Sequence, residues 1–280
     1  MDSKEYDIKG GPKDGRKVFR KLGTCSRTFF HILNREFGHP RELEERASDV
    51  LAGGIMQKGH QCGMLWGASL AIGAEAYRSN ENKNHAINVA VKATQNVLAS
   101  FLQREHTISC RKITRCDFSN KLSFAKYMVT GRFLHCFNLA QNWAPEAVKS
   151  ASDSLSNQES ESQKECLSCA TEVAKKMGAS EEEMLMVAGF AGGLGLSGNA
   201  CGALSAAIWM KSLDWCRKEL KKSSIKNSKS KIVLDTFYET THSNILCSEI
   251  TGLNFKSLDD HTTYIKKGGC SKLINKLAET

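Results

Sequence analysis

The chain has 280 residues, 41% of them hydrophobic and 25% charged, with a formal net charge of +9. That is room for two domains of ordinary size with a normal core, and it excludes a chain too polar to fold. Residues 1–16 are polar and charged and lack an apolar stretch, so no secretory signal is expected.

Only 3 prolines and no long run of alternating apolar and polar residues predict an all-α protein. In chain order, residues 16–37 read as a helix closed by Gly38 and Pro40, and residues 42–56 as a second that ends at a glycine turn. A third helix starts near Cys62 and runs to about residue 77, a fourth covers 84–104, and two more cover 119–128 and 137–148. A polar, Ser-rich stretch at 150–162 then reads as a linker. Beyond it, Ser180 with Glu183 resembles a capping box before the apolar run that follows. Residues 184–210 carry no charge, a length that spans a bilayer. Five glycines within that stretch, with Ser197 and Asn199 at its middle, favour a buried helix–turn–helix, and no membrane span is expected.

The excess charge gathers at Lys218, Lys221, Lys222, Lys226, Lys229 and Lys231. No aromatic residue is interleaved there to stack on a base, so nucleic acid is not an expected partner. The run reads as a solvated loop, and an acidic redox partner protein is the partner it would suit.

The chain repeats itself. Residues 51–67, LAGGIMQKGHQCGMLWG, align without a gap on residues 190–206, FAGGLGLSGNACGALSA, at an offset of 139. Downstream, Cys110 with Ile113 and Thr114 parallels Cys247 with Ile250 and Thr251, and Phe118 matches Phe255. Cys136 and Cys270 each precede an amphipathic run, and Cys25 and Cys166 each open a helical segment. The cysteines thus fall into two quartets, Cys25, Cys62, Cys110, Cys136 and Cys166, Cys201, Cys247, Cys270, with steps of 37, 48, 26 and 35, 46, 23. Two similar helical bundles are expected, residues 1–155 and 156–280. Cys116, Cys169 and Cys216 are left over, although the Cys166-x-x-Cys169 spacing lets either of that pair supply the first position.

Eleven cysteines without a signal peptide read as cytoplasmic thiols, which serve metals or redox chemistry more often than structural disulfides. Gly-x-x-Cys-Gly at 59–63 and 198–202 sets Cys62 and Cys201 at helix starts, where unpaired N–H groups favour a thiolate. Gly193-x-Gly195-x-x-Gly198 spells a dinucleotide fingerprint, but a helix rather than a strand precedes it, so nucleotide binding is not expected. His106 and His242 lie four and five residues before the third cysteine of each copy and read as helix-cap or surface residues, and His60 and His135, matched by Asn199 and Gly269, are not expected ligands.

With these motifs the chain resembles, twice over, the family of small redox-active proteins named for the cysteine pattern C–CGAxxG–C–C. Neither copy keeps CGAxxG intact: the first has Met64 for its Ala, and the second has Ala206 for its last Gly. The resemblance marks Cys25, Cys62, Cys110, Cys136, Cys166, Cys201, Cys247 and Cys270 as the site residues of two four-cysteine centres. Four thiolates suit an iron–sulfur cluster used in electron transfer, or a zinc or other thiolate-bound metal. The same residues serve a thiol–disulfide oxidoreductase or metal-handling protein under a second reading, and a non-catalytic interaction protein with structural cysteines under a third.

Overall fold

In the computed structural model, which describes residues 10–157, 164–219, 224–225 and 227–280, helix boundaries fall where capping chemistry and glycines put them. Thr24 accepts a hydrogen bond from the Arg27 N–H and starts α2 (Cys25–Glu36) after the short α1 (Gly15–Leu22), which ends at the left-handed Gly23. α3 (Glu42–Ala47) follows, and then α4 (Gly63–Ser79), α5 (Lys83–Glu105), α6 (Cys110–Thr114), α7 (Lys121–Val129) and α8 (Phe133–Ser156). The second half repeats the order with α9 (Cys169–Lys176), α10 (Glu181–Met186), α11 (Gly202–Lys218), α12 (Ser228–Thr241), α13 (Cys247–Thr251), α14 (Leu258–Lys266) and α15 (Ser271–Glu279). The protein is all-α: 70% of the described residues are helical, and no strand occurs among them.

α2, α4, α5 and α8 form the first bundle, and α9, α11, α12 and α15 the second. The halves share one continuous core. α3 and the 3₁₀ turn Ser48–Leu51 pack on α11, and reciprocally α10 and the 3₁₀ turn Ala188–Phe190 pack on α4 and α5. Trp66 meets Phe190 edge-on across this seam at 4.8 Å. Gly73 backs onto the Leu185 carbonyl so closely that a Cβ there would stand 2.2 Å away.

One expectation needs correcting. The Ser-rich stretch is not extended linker as far as Ser156, because α8 continues through it with Ala151 and Leu155 buried on the core side. Residues 158–162 of that stretch, with Lys221, Lys222 and Lys226 of the basic run, lie outside the described residues. Of the rest of that run, Lys218 and Lys229 pair with Asp214, and Lys231 with Asp235. The uncharged stretch 184–210 breaks into α10, a 3₁₀ turn, a glycine loop and the start of α11. No helix among the described residues is long and apolar enough to cross a membrane.

Candidate functional site: two cysteine quartets

Each quartet is assembled around a loop of left-handed backbone. Gly53, Gly54, Ile55, Met56 and Gln57 all have φ between 49° and 75°, and Gly192 to Leu196 repeat this with φ between 54° and 87°. Left-handed backbone costs L-residues roughly 1–2 kcal/mol each. A five-residue run therefore persists only where its surroundings fix it. Here the same backbone bonds hold both copies: Met56 N–H to Val50 O (2.6 Å) and Gly59 N–H to Gly53 O (2.9 Å), matched by Gly195 to Gly189 (2.8 Å) and Gly198 to Gly192 (3.0 Å). The loop aims its first glycine N–H at a sulfur, Gly53 at Cys25 and Gly192 at Cys169.

In the first half, Cys25 is the first residue of α2 and Cys62 is the residue before α4. Ser26 and Gly63 add N–H groups at the Cys25 sulfur, and Met64 adds one at Cys62. Gly63 has no room for a side chain, since a Cβ would lie 2.6 Å from the Cys25 Sγ. Cys110 opens α6 and is stitched to the segment before Cys62 by Cys110 N–H to His60 O (2.6 Å) and Cys62 N–H to Ile108 O (2.7 Å). Cys136 sits on the first turn of α8, where the Tyr127 hydroxyl donates to its sulfur at 3.7 Å. All four cysteines line one cavity of about 290 Å³, and none of its lining residues is charged.

Burial first, and then the neighbouring sulfurs, push Cys62 and Cys110 well above the ordinary thiol range; Cys136 is pushed up to about 12 by the same causes. Cys25 is raised by burial against the opposing pull of its N–H donors. The thiols are therefore protonated at neutral pH unless a cation joins them. The helix-start thiolate expected for Cys62 and Cys201 is overridden, because desolvation exceeds the effect of a few N–H groups.

The second half places Cys169, Cys201, Cys247 and Cys270 together. Burial again leads in raising Cys169 well above the ordinary range and Cys247 to about 11, with the other sulfurs of the set adding to it. The Tyr264 hydroxyl lies 3.8 Å from the Cys270 Sγ, as Tyr127 does from Cys136. Cys166 is not in this group. Its surroundings are Asp259, Lys266, Glu165 and Lys164, and its N–H bonds the Asn84 side chain at 3.0 Å. Cys169, not Cys166, occupies the place of Cys25, because α9 starts after the capping box Ser168–Thr171. α9 has 8 residues and α2 has 12, so the cysteine spacings favoured Cys166 over Cys169 for the first position. The capping pair was the signal that sequence reading passed over.

The structure adds three further features to the quartets. Tyr127 and Tyr264 are repeated, each packed on the matched Phe118 or Phe255 at 5.4 and 5.3 Å. Thr114 and Thr251 bond back from the third cysteine's helix to the Cys110 and Cys247 carbonyls, both at 2.7 Å. Cys116, which the spacing set aside, is buried beside the first quartet near Cys110 and Cys136. Cys216 stands apart, bonded to Arg46 and Ser224. His106 and His242 are left-handed helix C-caps, and His60 is half-buried, 2.6 Å from the Tyr238 hydroxyl, and held down to about 4 mainly by desolvation.

Among the described residues, no three His, Cys, Asp or Glu side chains stand close enough to hold a single metal ion. All eleven cysteines are free thiols. No curated protein and no solved structure matches the chain. The family described as "Putative redox-active protein (C_GCAxxG_C_C)" matches residues 24–179 and again residues 165–280. That name writes the central motif GCAxxG rather than CGAxxG, so the departures here are Gln61 and Ala200 before the cysteine, Gly63 and Gly202 after it, and Trp66 and Ser205 at its end. Matched over nearly its whole length by two successive copies, each built on four converging cysteines, the chain belongs to the C_GCAxxG_C_C redox-active family.

Proposed function

We propose that the first quartet holds an iron–sulfur cluster and that the protein transfers electrons through it. One observation carries this reading. Four cysteines from four separate segments border one hollow of about 290 Å³ that no charged side chain lines. Buried thiols without a basic neighbour are poor nucleophiles, which speaks against thiol–disulfide exchange as their first use. A bound cation deprotonates such thiols outright, and sulfurs set around a hollow suit a cluster better than one tetrahedral ion.

Cys25, Cys62, Cys110 and Cys136 would hold the cluster, which supplies a one-electron couple when bound. The chain's own residues supply the environment. The N–H groups of Gly53, Ser26 and Gly63 disperse negative charge on the Cys25 sulfur, and the Tyr127 hydroxyl does so at Cys136. Hydrogen bonds to the sulfurs and burial are the protein's means of setting a cluster's potential. Free thiols suit the reducing cytoplasm, and the basic surface suits an acidic redox partner.

Anaerobic purification with iron and acid-labile sulfide analysis tests the reading. Brown protein containing both, each lost in Cys62→Ser and Cys136→Ser, is the expected result. Colourless protein whose free-thiol count responds reversibly to dithiothreitol would overturn it in favour of disulfide chemistry. Metal-free protein with a constant thiol count would overturn it in favour of structural cysteines.

A further inference from the structure

We propose that the first-half cavity binds an uncharged, apolar small molecule against the cysteine quartet, and that the second half has no such site. The proposal rests on reading the first quartet as the working centre, and it names the class of reactant that the centre admits.

The two copies share their quartet, their tyrosine and their phenylalanine, yet the space beside the sulfurs differs. The space lined by all four sulfurs is about 290 Å³ in the first half and about 10 Å³ in the second, where a separate hollow of about 380 Å³ reaches Cys270 alone among the sulfurs and is lined by the charged Glu249 and Lys272. The smaller volume holds no more than one water. The larger approaches the lower end of small-molecule sites, which are concave, mostly apolar and furnished with few polar groups.

The difference has two structural causes. In the second half, His261 of α14 is buried edge-on to Phe255 at 4.8 Å and helps fill the space. Phe124, three residues before Tyr127 as His261 is before Tyr264, turns outward and is 45% exposed. In addition, parts of the first cavity's wall lie outside the repeated segments. Phe19 comes from α1, and Ile225 comes from the segment between α11 and α12 of the other half. Among the described residues no helix precedes α9 as α1 precedes α2. The cavity is therefore not a by-product of the duplicated quartet.

The lining fixes the chemistry of the guest. Phe19, Phe118, Tyr127, Phe133 and Phe137 supply aromatic surface, and no Lys, Arg, Asp or Glu lines the space. A charged guest would lose its hydration with nothing to replace it. A flat, uncharged ring system would keep contact with aromatic faces on entry. Met128 marks the way in, since it lines the cavity while remaining 45% exposed.

Fluorescence titration of the purified protein with N-phenyl-1-naphthylamine, a neutral apolar dye, tests this. Saturable binding of one dye per chain is expected. Ile225→Trp and Ile113→Phe, each checked for helical content by circular dichroism, fill the space from two different segments of its wall. Each is expected to weaken binding at least tenfold. The double variant Leu122→Glu, Val129→Glu removes the two most exposed apolar side chains of α7, 82% and 89% exposed and outside the cavity lining, and is expected to bind the dye unchanged. No saturable binding, two dyes per chain, undiminished binding in both filled variants, or loss of binding in the α7 variant would each overturn the proposal. The dye reports the cavity alone, so this result separates from that of the iron and sulfide analysis.

Discussion

Gly67→Ala probes the crossing on which the first site depends. Gly67 lies one turn into α4, where that helix crosses α2, and a Cβ placed there would stand 1.9 Å from the Ser26 carbonyl oxygen and 2.9 Å from the Phe30 nitrogen. Both neighbours are backbone, so no side chain can rotate aside. Cβ contacts under 3.0 Å essentially do not occur, so the helices must part by at least about 1 Å locally. Overpacking of this kind costs about 1–3 kcal/mol. Replacing a helical glycine by alanine returns about 1 kcal/mol. The expected net loss is up to about 2 kcal/mol, read from urea unfolding followed by circular dichroism at 222 nm. Ser26 adjoins Cys25, so the same displacement shifts the Cys25 sulfur and is expected to lower bound iron per chain. In the second half the equivalent residue is Ala206, fully buried, which shows that α9 and α11 cross with room for a methyl group. A Gly67→Ala variant more stable than the parent by the roughly 1 kcal/mol of helix propensity would refute the close crossing.

Further outcomes follow from the same geometry. Cys169→Ser is expected to disturb the second quartet, seen as faster alkylation of Cys201 and Cys247 by iodoacetamide, whereas Cys166→Ser leaves those rates unchanged; the reverse pattern would restore Cys166 to the set. Met56→Gly is expected to stabilise the protein by about 1 kcal/mol in urea unfolding, because Met56 has φ 49° and the second copy already carries Gly195 at that position. Asp49, buried and accepting a hydrogen bond from the Thr24 hydroxyl at 2.5 Å, is raised to about 6 from 3.8, chiefly by burial. A carboxyl raised in the folded state binds its proton more tightly there, so its contribution is present below pH 4 and is lost as pH rises to about 6. Asp49→Asn should therefore match the parent near pH 4 and exceed it at pH 7 by up to about 3 kcal/mol; a difference that stays constant with pH would refute this.

The sequence by itself determined the helical class, the duplication, and seven of the eight cysteines that the structure gathers into quartets. Local chemistry sufficed for these. Cysteine, Gly-x-x-Cys-Gly and capping residues are short-range signals, and a repeat doubles each of them. The eighth position, Cys169, was also written locally, in the Ser168–Thr171 cap, but comparison of spacings favoured Cys166 because α9 lost a turn at its other end. Only the tertiary structure decided the rest. The shared core of the halves, the outward Phe124 against the inward His261, and the walls supplied by Phe19 and Ile225 depend on contacts between residues distant in sequence. The protonation of the thiols was likewise beyond reach of the motif. A helix start favours a thiolate, but the desolvation that reverses this preference is a property of everything packed around the sulfur.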